Sequence, residues 1–367
     1  MTITGSPAHT QLSRRHALQI ATMLGSIPSG QLAAQQTSAP STSSVGLEHH
    51  TFRVNGVSLH VAIQGTGPLV ILCHGWPELW YAWRHQLPAL AAAGYRAAAL
   101  DLRGFGASDA PAEVEAYTIF HLVGDVTGLI GALGERQAVV VGHDWGAVIA
   151  WYAAMFRPDL IRAVVSMSVP APRRAPAPPI RALREAGQNR FYMVYFQEPG
   201  VAEAEFERDP AATLRRILFH FSGEAPEIRA PGALQTLPMT GGFLDIRPDT
   251  GGLPSWLTEQ DLAYMATEYR RTGFRGGLNL YRAIDRNWEL LGPWQGATVS
   301  QPALFIAGSR DAIFNTPRGR TSLEAMPNIV PNLRRTLVID GAGHYIQQER
   351  PEQVNATLVE FLRGLPG

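Results

Sequence analysis

The sequence lacks the features that mark several classes of protein. Its 367 residues include one cysteine, Cys73, which excludes an intramolecular disulfide framework and a cysteine-based zinc cluster. Only 17% of the residues are charged, and 31 basic residues balance 31 acidic ones, so no charge excess points to nucleic acid or to an anionic membrane surface. No apolar run approaches the roughly 20 residues that span a bilayer, so no stable membrane insertion is expected. What remains is a globular chain with enough apolar residues, 46%, to bury a large core.

The first 46 residues differ in composition from the rest. Arg14-Arg15 precedes a weakly apolar stretch, residues 17–27, and then small residues, which is the order found in signal peptides. The stretch around the two arginines resembles the twin-arginine export signal, with Ala17 in place of the usual aromatic residue and Gln19 in place of lysine. We therefore interpret residues 1–34 as a twin-arginine signal peptide and expect a periplasmic protein. The alternative is a disordered leader on a cytoplasmic protein. Residues 35–46, rich in Ser, Thr, Ala and Gln, are predicted to form a flexible linker.

From residue 47 onward, strand patterns alternate with helix patterns. An antiparallel hairpin is predicted for residues 51–54 and 57–62, because Asn55-Gly56 readily adopts positive φ. Six short apolar runs then predict strands buried on both faces: 69–73, 96–100, 138–141, 163–167, 303–307 and 336–339. Apolar stripes of helical period lie between them and at the C-terminus. This alternation predicts a mostly parallel, doubly wound α/β sheet with ligands at the carboxyl ends of its strands.

The alternation breaks between residues 170 and 295. This region begins with a proline-rich stretch, residues 170–179, and continues with many aromatic residues but no clear buried strand. We interpret residues 170–295 as a mostly helical cap over the sheet, and residues 47–169 and 296–367 as the core. The cap aromatics favour apolar or aryl ligands; they include Phe191, Tyr195, Phe196 and Trp288.

The strongest local motif is Gly142-His143-Asp144-Trp145-Gly146, between a predicted strand and a helical run. A sharp strand-to-helix turn needs small residues on each side, and it pushes one side chain into the pocket. Here that side chain is a carboxylate. Asp144 is therefore the candidate nucleophile, suited to attack on an alkyl carbon. The alternative is an aspartate that only caps the following helix.

A second motif, His74-Gly75-Trp76-Pro77-Glu78, also follows a predicted strand. It would place the backbone N–H of Trp76 beside the nucleophile, where it forms an oxyanion hole with the N–H of Trp145. We interpret His74 as a packed structural histidine. The segment from Asp101 to Ser108 is interpreted as a structural loop without a chemical role.

The general base is expected in Gly341-Ala342-Gly343-His344-Tyr345, which follows the last predicted strand. Asp311, a few residues beyond another strand, is placed to orient and stabilise the imidazole of His344. The chain order Asp144, Asp311, His344 matches the order nucleophile, acid, base of one hydrolase fold. For Asp311 alone, a surface or helix-capping role is the alternative.

With these motifs in place, the folded body, roughly residues 46–367, resembles the soluble, cap-bearing epoxide hydrolases of the α/β-hydrolase superfamily. The motifs around Trp76 and Asp144 are shared with haloalkane dehalogenases and do not separate the two activities. Two cap segments, residues 191–200 and 274–282, resemble the epoxide hydrolases closely. In that family each segment supplies one catalytic tyrosine, and these fall on Tyr192 and Tyr281.

The resemblance implies an α/β-hydrolase fold with an inserted helical cap, and a two-step reaction. An epoxide has a poor alkoxide leaving group, so two phenols that hold the ring oxygen and supply a proton fit this chemistry. Asp144 would form a covalent alkyl ester, and water activated by His344 would hydrolyse it. The residues expected to bind substrate are Trp76, Trp145, Tyr195 and Phe196.

The expected partners are a small-molecule epoxide and water, with no nucleic acid, and no metal or organic cofactor is needed. His49-His50 predicts no metal site, because no acidic residue or third histidine lies at a useful spacing nearby. Three other functions stay open: a haloalkane or haloacid dehalogenase, a non-catalytic binder of hydrophobic ligands, and an ester hydrolase. The last is the least expected, because position 144 is not a serine. The sequence gives no indication of the oligomeric state.

Overall fold

The computed structural model describes residues 46–226 and 235–366. The predicted signal peptide and residues 35–45 of the predicted linker lie outside this part of the chain, so both stay predictions. No helix within the described ranges combines the length and the apolar character needed to cross a membrane.

Eight strands of the described part of the chain form one sheet. They are β1 (Glu48–Val54), β2 (Val57–Gln64), β3 (Leu69–Cys73), β4 (Arg96–Leu100), β5 (Ala138–His143), β6 (Ile161–Met167), β7 (Ala303–Gly308) and β8 (Leu333–Ile339). Their order across the sheet is β1-β2-β4-β3-β5-β6-β7-β8. The pairs β1–β2 and β2–β4 are antiparallel and all other pairs are parallel, so the predicted mostly parallel, doubly wound sheet is confirmed.

The opening hairpin follows from its turn residues. Asn55 and Gly56 have φ angles of 48° and 80°, the positive values that a two-residue turn between right-twisted strands requires. The resulting register pairs Val54 with Val57 and continues to the pair of Glu48 with Ile63. The predicted hairpin is confirmed, and both of its strands are longer than predicted.

Within residues 46–226 and 235–366, thirteen α-helices accompany the sheet. The core helices before β7 are α1 (Gln86–Ala92), α2 (Ile119–Ala132) and α3 (Trp145–Phe156). Seven helices lie between β6 and β7: α4 (Pro179–Glu185), α5 (Tyr192–Tyr195), α6 (Val201–Phe206), α7 (Pro210–Phe221), α8 (Glu259–Thr272), α9 (Arg275–Arg282) and α10 (Ile284–Leu290). The last three are α11 (Pro317–Ile329), α12 (Ile346–Glu349) and α13 (Pro351–Arg363). The described part of the segment between β6 and β7 is thus mainly helical, while the exact cap boundaries at residues 170 and 295 stay a prediction.

The expectation that all six apolar runs are buried on both faces is wrong for β8. This strand is at the edge of the sheet, and Arg334, Arg335 and Thr336 are exposed. An edge strand has a neighbour on one side only, so its short apolar run does not require burial on both faces. By contrast β3 and β5, in the middle of the sheet, are buried along their whole length.

The loop from Asp101 to Ser108 braces the edge of the sheet where the site lies. The Asp101 carboxylate accepts hydrogen bonds from the backbone N–H groups of Trp80 and Ala107, at 2.8 and 3.0 Å. The Arg103 guanidinium forms a buried ion pair with Asp125 of α2, with Nε 2.6 Å from Oδ2. These contacts agree with the structural role expected for this loop.

Candidate active site

Asp144 lies in a strained turn between β5 and α3. Its φ and ψ are 52° and −117°, values that a non-glycine residue adopts only when the surroundings impose them. A Cβ atom at Gly146 would lie 1.9 Å from the Cys73 carbonyl oxygen, and one at Gly142 would lie 2.0 Å from the Gly146 carbonyl oxygen. The two glycines let the strand and the helix approach closely enough to push the Asp144 side chain beyond the end of the sheet.

The end of β3 supplies a hydrogen-bond donor to this carboxylate. The backbone N–H of Trp76 lies 2.9 Å from Asp144 Oδ1, and a Cβ atom at Gly75 would overlap the Asp144 side chain. The N–H of Trp145, at the first residue of α3, makes no hydrogen bond to Asp144 in the described part of the chain. Of the two predicted oxyanion-hole donors, Trp76 therefore already contacts the carboxylate.

His344 lies between the two aspartates. Its Nε2 is 3.7 Å from Asp144 Oδ2, and its Nδ1 is 3.1 and 3.2 Å from the two Asp311 oxygens. The Asp311 carboxylate also accepts a hydrogen bond from the backbone N–H of Ile313, at 2.8 Å. The three residues predicted to act together are thus brought together from the ends of β5, β7 and β8.

The charges of these groups shift their pKa values in opposite directions. Burial disfavours a charged imidazole, but the charge of Asp311 and hydrogen bonds to both carboxylates outweigh it and raise the pKa of His344 well above its usual 6.5. Burial also disfavours a charged Asp144, but the hydrogen bond and the charge of His344 outweigh it and lower the pKa of Asp144 below its usual 3.8. The resting site therefore holds an aspartate anion beside an imidazolium cation.

Two buried tyrosines pack against each other, and one of them, Tyr281, lies near the nucleophile. Tyr192 in α5 and Tyr281 in α9 have ring centroids 5.8 Å apart. The Tyr281 ring also meets the Trp145 ring edge-on at 5.2 Å. Burial raises the pKa of Tyr281 well above 10, and the nearby charge of Asp144 adds to the shift, whereas a hydrogen bond with the Trp145 side chain opposes it. Tyr281 is therefore a neutral O–H donor close to the carboxylate.

Comparison with known proteins identifies the fold and the family. A family model described as the alpha/beta hydrolase fold matches residues 68–351. Epoxide hydrolase A of Mycobacterium tuberculosis is 47% identical over 315 residues, which cover 85% of this chain and 96% of that protein. Epoxide hydrolase 3 of Siraitia grosvenorii is 44% identical, with 86% of this chain and 98% of that protein covered.

Solved structures give the same result. An epoxide hydrolase from an endophytic Streptomyces is 46% identical with a TM-score of 0.84, covering 87% of this chain and 96% of that one. Epoxide hydrolase A from Mycobacterium thermoresistibile is 44% identical with a TM-score of 0.81, covering 88% and 99%. The chain belongs to the epoxide hydrolase family of the α/β-hydrolase fold. The resemblance seen in the sequence motifs is confirmed.

In this member of the epoxide hydrolase family, the aromatic residues expected to bind substrate fall into different environments. Phe196 is fully buried and packs between Trp76 and Tyr281, with ring centroids 5.5 and 5.1 Å away. The Tyr195 hydroxyl instead donates to Glu205 Oε2 at 2.8 Å, in a contact within the helical segment. Trp288 is covered by the Arg174 guanidinium and donates to the Ala175 carbonyl, so it belongs to a different part of the fold.

Sequence reasoning missed a buried pair behind the site. His143 Nδ1 lies 2.7 Å from Glu78 Oε2, and its Nε2 lies 2.8 Å from the His344 carbonyl oxygen. The side-chain amides of Gln347 and Gln348 donate to the other Glu78 oxygen. Both partners lie within the motifs quoted for Trp76 and Asp144, but their 65-residue separation hid the contact. The pair links the nucleophile turn to the loop that carries the base.

Glu349 was also missed. Its carboxylate accepts hydrogen bonds from the backbone N–H groups of Gly343, Gly223 and Tyr345, at 2.8, 2.9 and 3.1 Å. The N–H of His344 in turn donates to the Phe221 carbonyl at 2.9 Å. The backbone around the base is therefore fixed from both sides, by α12 and by the end of α7. Only the position of Glu349, five residues after His344, could have suggested this contact.

The histidine pair considered for a metal has a partner that its spacing did not reveal. His49 Nδ1 lies 2.9 Å from His60 Nε2 on the neighbouring strand, because the hairpin register brings the two side chains together. The His60 Nδ1 in turn contacts Asp101 Oδ2 at 2.8 Å. Even so, the described residues contain no group of three or more His, Cys, Asp or Glu side chains arranged to hold a metal ion.

Proposed function

We propose that this protein hydrolyses epoxides to vicinal diols, with Asp144 as nucleophile, Tyr192 and Tyr281 as acids, and His344 with Asp311 as the base pair. The observation that carries the proposal is a carboxylate, not a hydroxyl, in the strained turn, with a buried pair of phenols that reaches it through Tyr281. A carboxylate attacks alkyl carbon, and an epoxide needs an acid on its oxygen. The family's named members agree with this chemistry.

The two carboxylate oxygens of Asp144 have different surroundings, and this difference indicates which oxygen attacks in the first step. Oδ1 accepts the Trp76 N–H, whereas Oδ2 faces His344 across 3.7 Å. Oδ2 therefore attacks one ring carbon while the carbon–oxygen bond breaks, and a tyrosine gives its proton to the departing oxygen. The product is an alkyl ester through Oδ2, with the new alcohol beside one phenol and one tyrosinate, and the tyrosinate regains the proton that His344 gives up before the second step.

Ester formation also prepares the second step. The ester carries no charge, so the contribution of Asp144 to the raised pKa of His344 disappears and the imidazole loses its proton more readily. Neutral His344 then takes a proton from water, which attacks the Asp144 carbonyl carbon. The oxyanion develops on Oδ1, against the Trp76 N–H, and collapse of this intermediate expels the diol oxygen, which takes its proton from His344.

A dehalogenase would need free indole or amide N–H donors around the halide beside the nucleophile. Trp76 Nε1 lies against α9, where a Cβ atom at Gly277 would be 2.9 Å from it, and it has no hydrogen-bond partner among the described residues. The Trp145 side chain hydrogen-bonds Tyr281. Of the two indoles, that of Trp145 is therefore committed to a proposed acid, and this contact favours epoxide opening.

The test compares the wild type with Asp144→Ala and with the Tyr192→Phe/Tyr281→Phe double variant. Each protein is mixed separately with an aryl epoxide and with a haloalkane, and diol and halide are measured. We expect diol from the wild type alone. Halide release that survives loss of both tyrosines, without any diol, would show a dehalogenase and would leave the tyrosines as packing residues.

Export to the periplasm is a separate proposal that rests on Arg14-Arg15 and the weakly apolar residues 17–27. Cell fractionation of the wild type and of an Arg14→Lys/Arg15→Lys variant would test it. We expect periplasmic protein that becomes cytoplasmic in the variant. Equal cytoplasmic retention of both proteins, with residue 1 still present on N-terminal sequencing, would support the disordered leader instead.

A further inference from the structure

A second cavity, about 330 Å³ in volume, lies where the chain leaves the core after β6 and where it returns before β7. Its lining comes from the last turns of α3, from both connections, and from the end of α11. The lining includes Tyr152, Met155, Arg173, Arg174, Leu291 and Ile329. The volume is within the range of small-molecule sites. None of the residues proposed for epoxide opening contributes to it.

One part of the lining is cationic and offers hydrogen-bond donors. Arg173 is exposed at the rim and makes no hydrogen bond or ion pair with any described residue. Arg174 is held in place, with Nε 3.0 Å from the Trp288 carbonyl oxygen, Nη1 3.1 Å from Gln295 Oε1, and its guanidinium 3.8 Å above the Trp288 ring, which leaves Nη2 for a ligand. Among the described residues no Asp or Glu lines the cavity, so the two positive charges have no counter-ion within this part of the lining.

A tyrosine hydroxyl adds to these donors. The Tyr152 side chain is only 8% exposed, and its hydroxyl has no hydrogen-bond partner among the described residues. A ligand acceptor that meets this hydroxyl would replace a hydrogen bond to water at the cavity. Burial raises the pKa of Tyr152 to about 12, so the hydroxyl stays protonated and can donate.

The other part of the lining is apolar. Leu291 and Ile329 are buried, and Met155 is half-buried beside them. Trp294, also in the lining, packs on Phe156 with ring centroids 4.7 Å apart, which fixes this wall. A ligand that matches both parts needs an anionic head and a compact apolar body.

We propose that this cavity is a second binding site, for a small amphipathic carboxylate. The ligand carboxylate lies between the two guanidiniums and accepts a hydrogen bond from the Tyr152 hydroxyl. The apolar body of the ligand packs on Met155, Leu291 and Ile329. Because the cavity is bounded by both connections between the sheet and the helical segment, the ligand contacts both of them at once. The proposal is independent of the epoxide reaction.

The probe is 4-phenylbutyrate, with 4-phenylbutyramide as its neutral match, titrated calorimetrically into the full-length protein at constant ionic strength. We expect the carboxylate to bind and the amide to bind at least about tenfold more weakly, since hydrogen bonds to a charged group are the stronger ones. Arg173→Gln should weaken carboxylate binding about three- to fivefold, because solvent screens an exposed guanidinium. Tyr152→Phe should weaken it about three- to tenfold.

Two controls locate the binding. Arg53→Gln removes the same charge from an exposed arginine of β1 that lies outside the cavity, and it should leave the affinity unchanged. Tyr192→Phe alters the proposed active site and should also leave it unchanged. A loss of binding only in Tyr192→Phe would place the probe in the active site and overturn the proposal.

Other results would contradict the proposal equally clearly. The two guanidiniums lie near the C-terminal ends of α3 and α11, where cations stabilise the helix dipole. If that is their whole role, Arg173→Gln lowers the melting temperature and leaves carboxylate binding as in the wild type. Equal affinity for the amide and the carboxylate would also refute an amphipathic carboxylate site. So would a site at which inorganic phosphate displaces 4-phenylbutyrate completely and binds as tightly, because the phenyl group would then add no affinity.

Discussion

Replacing Tyr281 with phenylalanine removes one hydroxyl and keeps the ring that packs against Trp145 and Phe196, with centroids 5.2 and 5.1 Å away. The same change at Tyr192 keeps its ring, 5.5 Å from that of Phe196. Each substitution therefore tests the O–H donor without opening a cavity. In the proposed reaction both donors act on the epoxide oxygen as it takes up negative charge.

The expected magnitude follows from the burial of both side chains. Removing one preorganised donor from a developing oxyanion in a water-excluded site costs about 10²–10³ in rate, or roughly 2.7–4 kcal/mol. We expect a loss of this size in the alkylation rate of each single variant. The double variant should lose more, because the ring oxygen would leave without a proton. KM should change less than kcat, since the hydrogen bonds strengthen as the charge develops.

The assay is single-turnover mixing of excess enzyme with an aryl epoxide, with tryptophan fluorescence for alkylation and chromatography for the diol. Tyr195→Phe is the matched control, because that hydroxyl donates to Glu205. It should leave alkylation unchanged and lower the free energy of unfolding by about 0.5–1.5 kcal/mol. Wild-type alkylation in both single variants, or an equal fall in Tyr195→Phe, would refute the reasoning.

Three further substitutions test the supporting contacts. Asp311→Asn removes the charge that raises the pKa of His344, so the acidic limb of the pH–rate profile for ester hydrolysis should move to lower pH. The rate itself should fall by up to ~10⁴. An acidic limb at the wild-type pH would contradict the pairing of Asp311 with His344. Glu349→Gln should cost about 1–3 kcal/mol in urea unfolding, because one backbone N–H loses its acceptor, whereas the exposed Glu324→Gln should cost under about 0.5 kcal/mol. Asp125→Asn leaves Arg103 as an uncompensated buried charge and should cost about 3–5 kcal/mol, so a loss below 1 kcal/mol would show that the ion pair is not needed.

The sequence was most informative where local geometry demands a particular residue. The strained turn at Asp144 requires the neighbouring glycines, and the alternating strand and helix patterns determine a parallel sheet, so the positions of Asp144, Asp311 and His344 followed. The cap tyrosines had no such local signal. Only the resemblance of two segments to a known family selected Tyr192 and Tyr281 from the many cap aromatics.

Contacts between distant positions could not be predicted in the same way. Glu78 and His143 meet because β3 and β5 are neighbours in the sheet, and Glu349 reaches Gly223 because α7 ends beside the base loop. The exposure of β8 depends on which strand forms the edge of the sheet, and its own apolar run does not contain that information. These features depend on topology and not on local pattern.

The most direct test of the mechanism is the intact mass of a His344→Gln variant after mixing with an aryl epoxide. The nucleophile and both tyrosines remain, while the base that releases the ester is lost. We expect a mass gain equal to one substrate molecule, located on the peptide that contains Asp144 and absent from Asp144→Ala. A folded His344→Gln protein that binds the substrate but gains no mass would contradict covalent attack by Asp144.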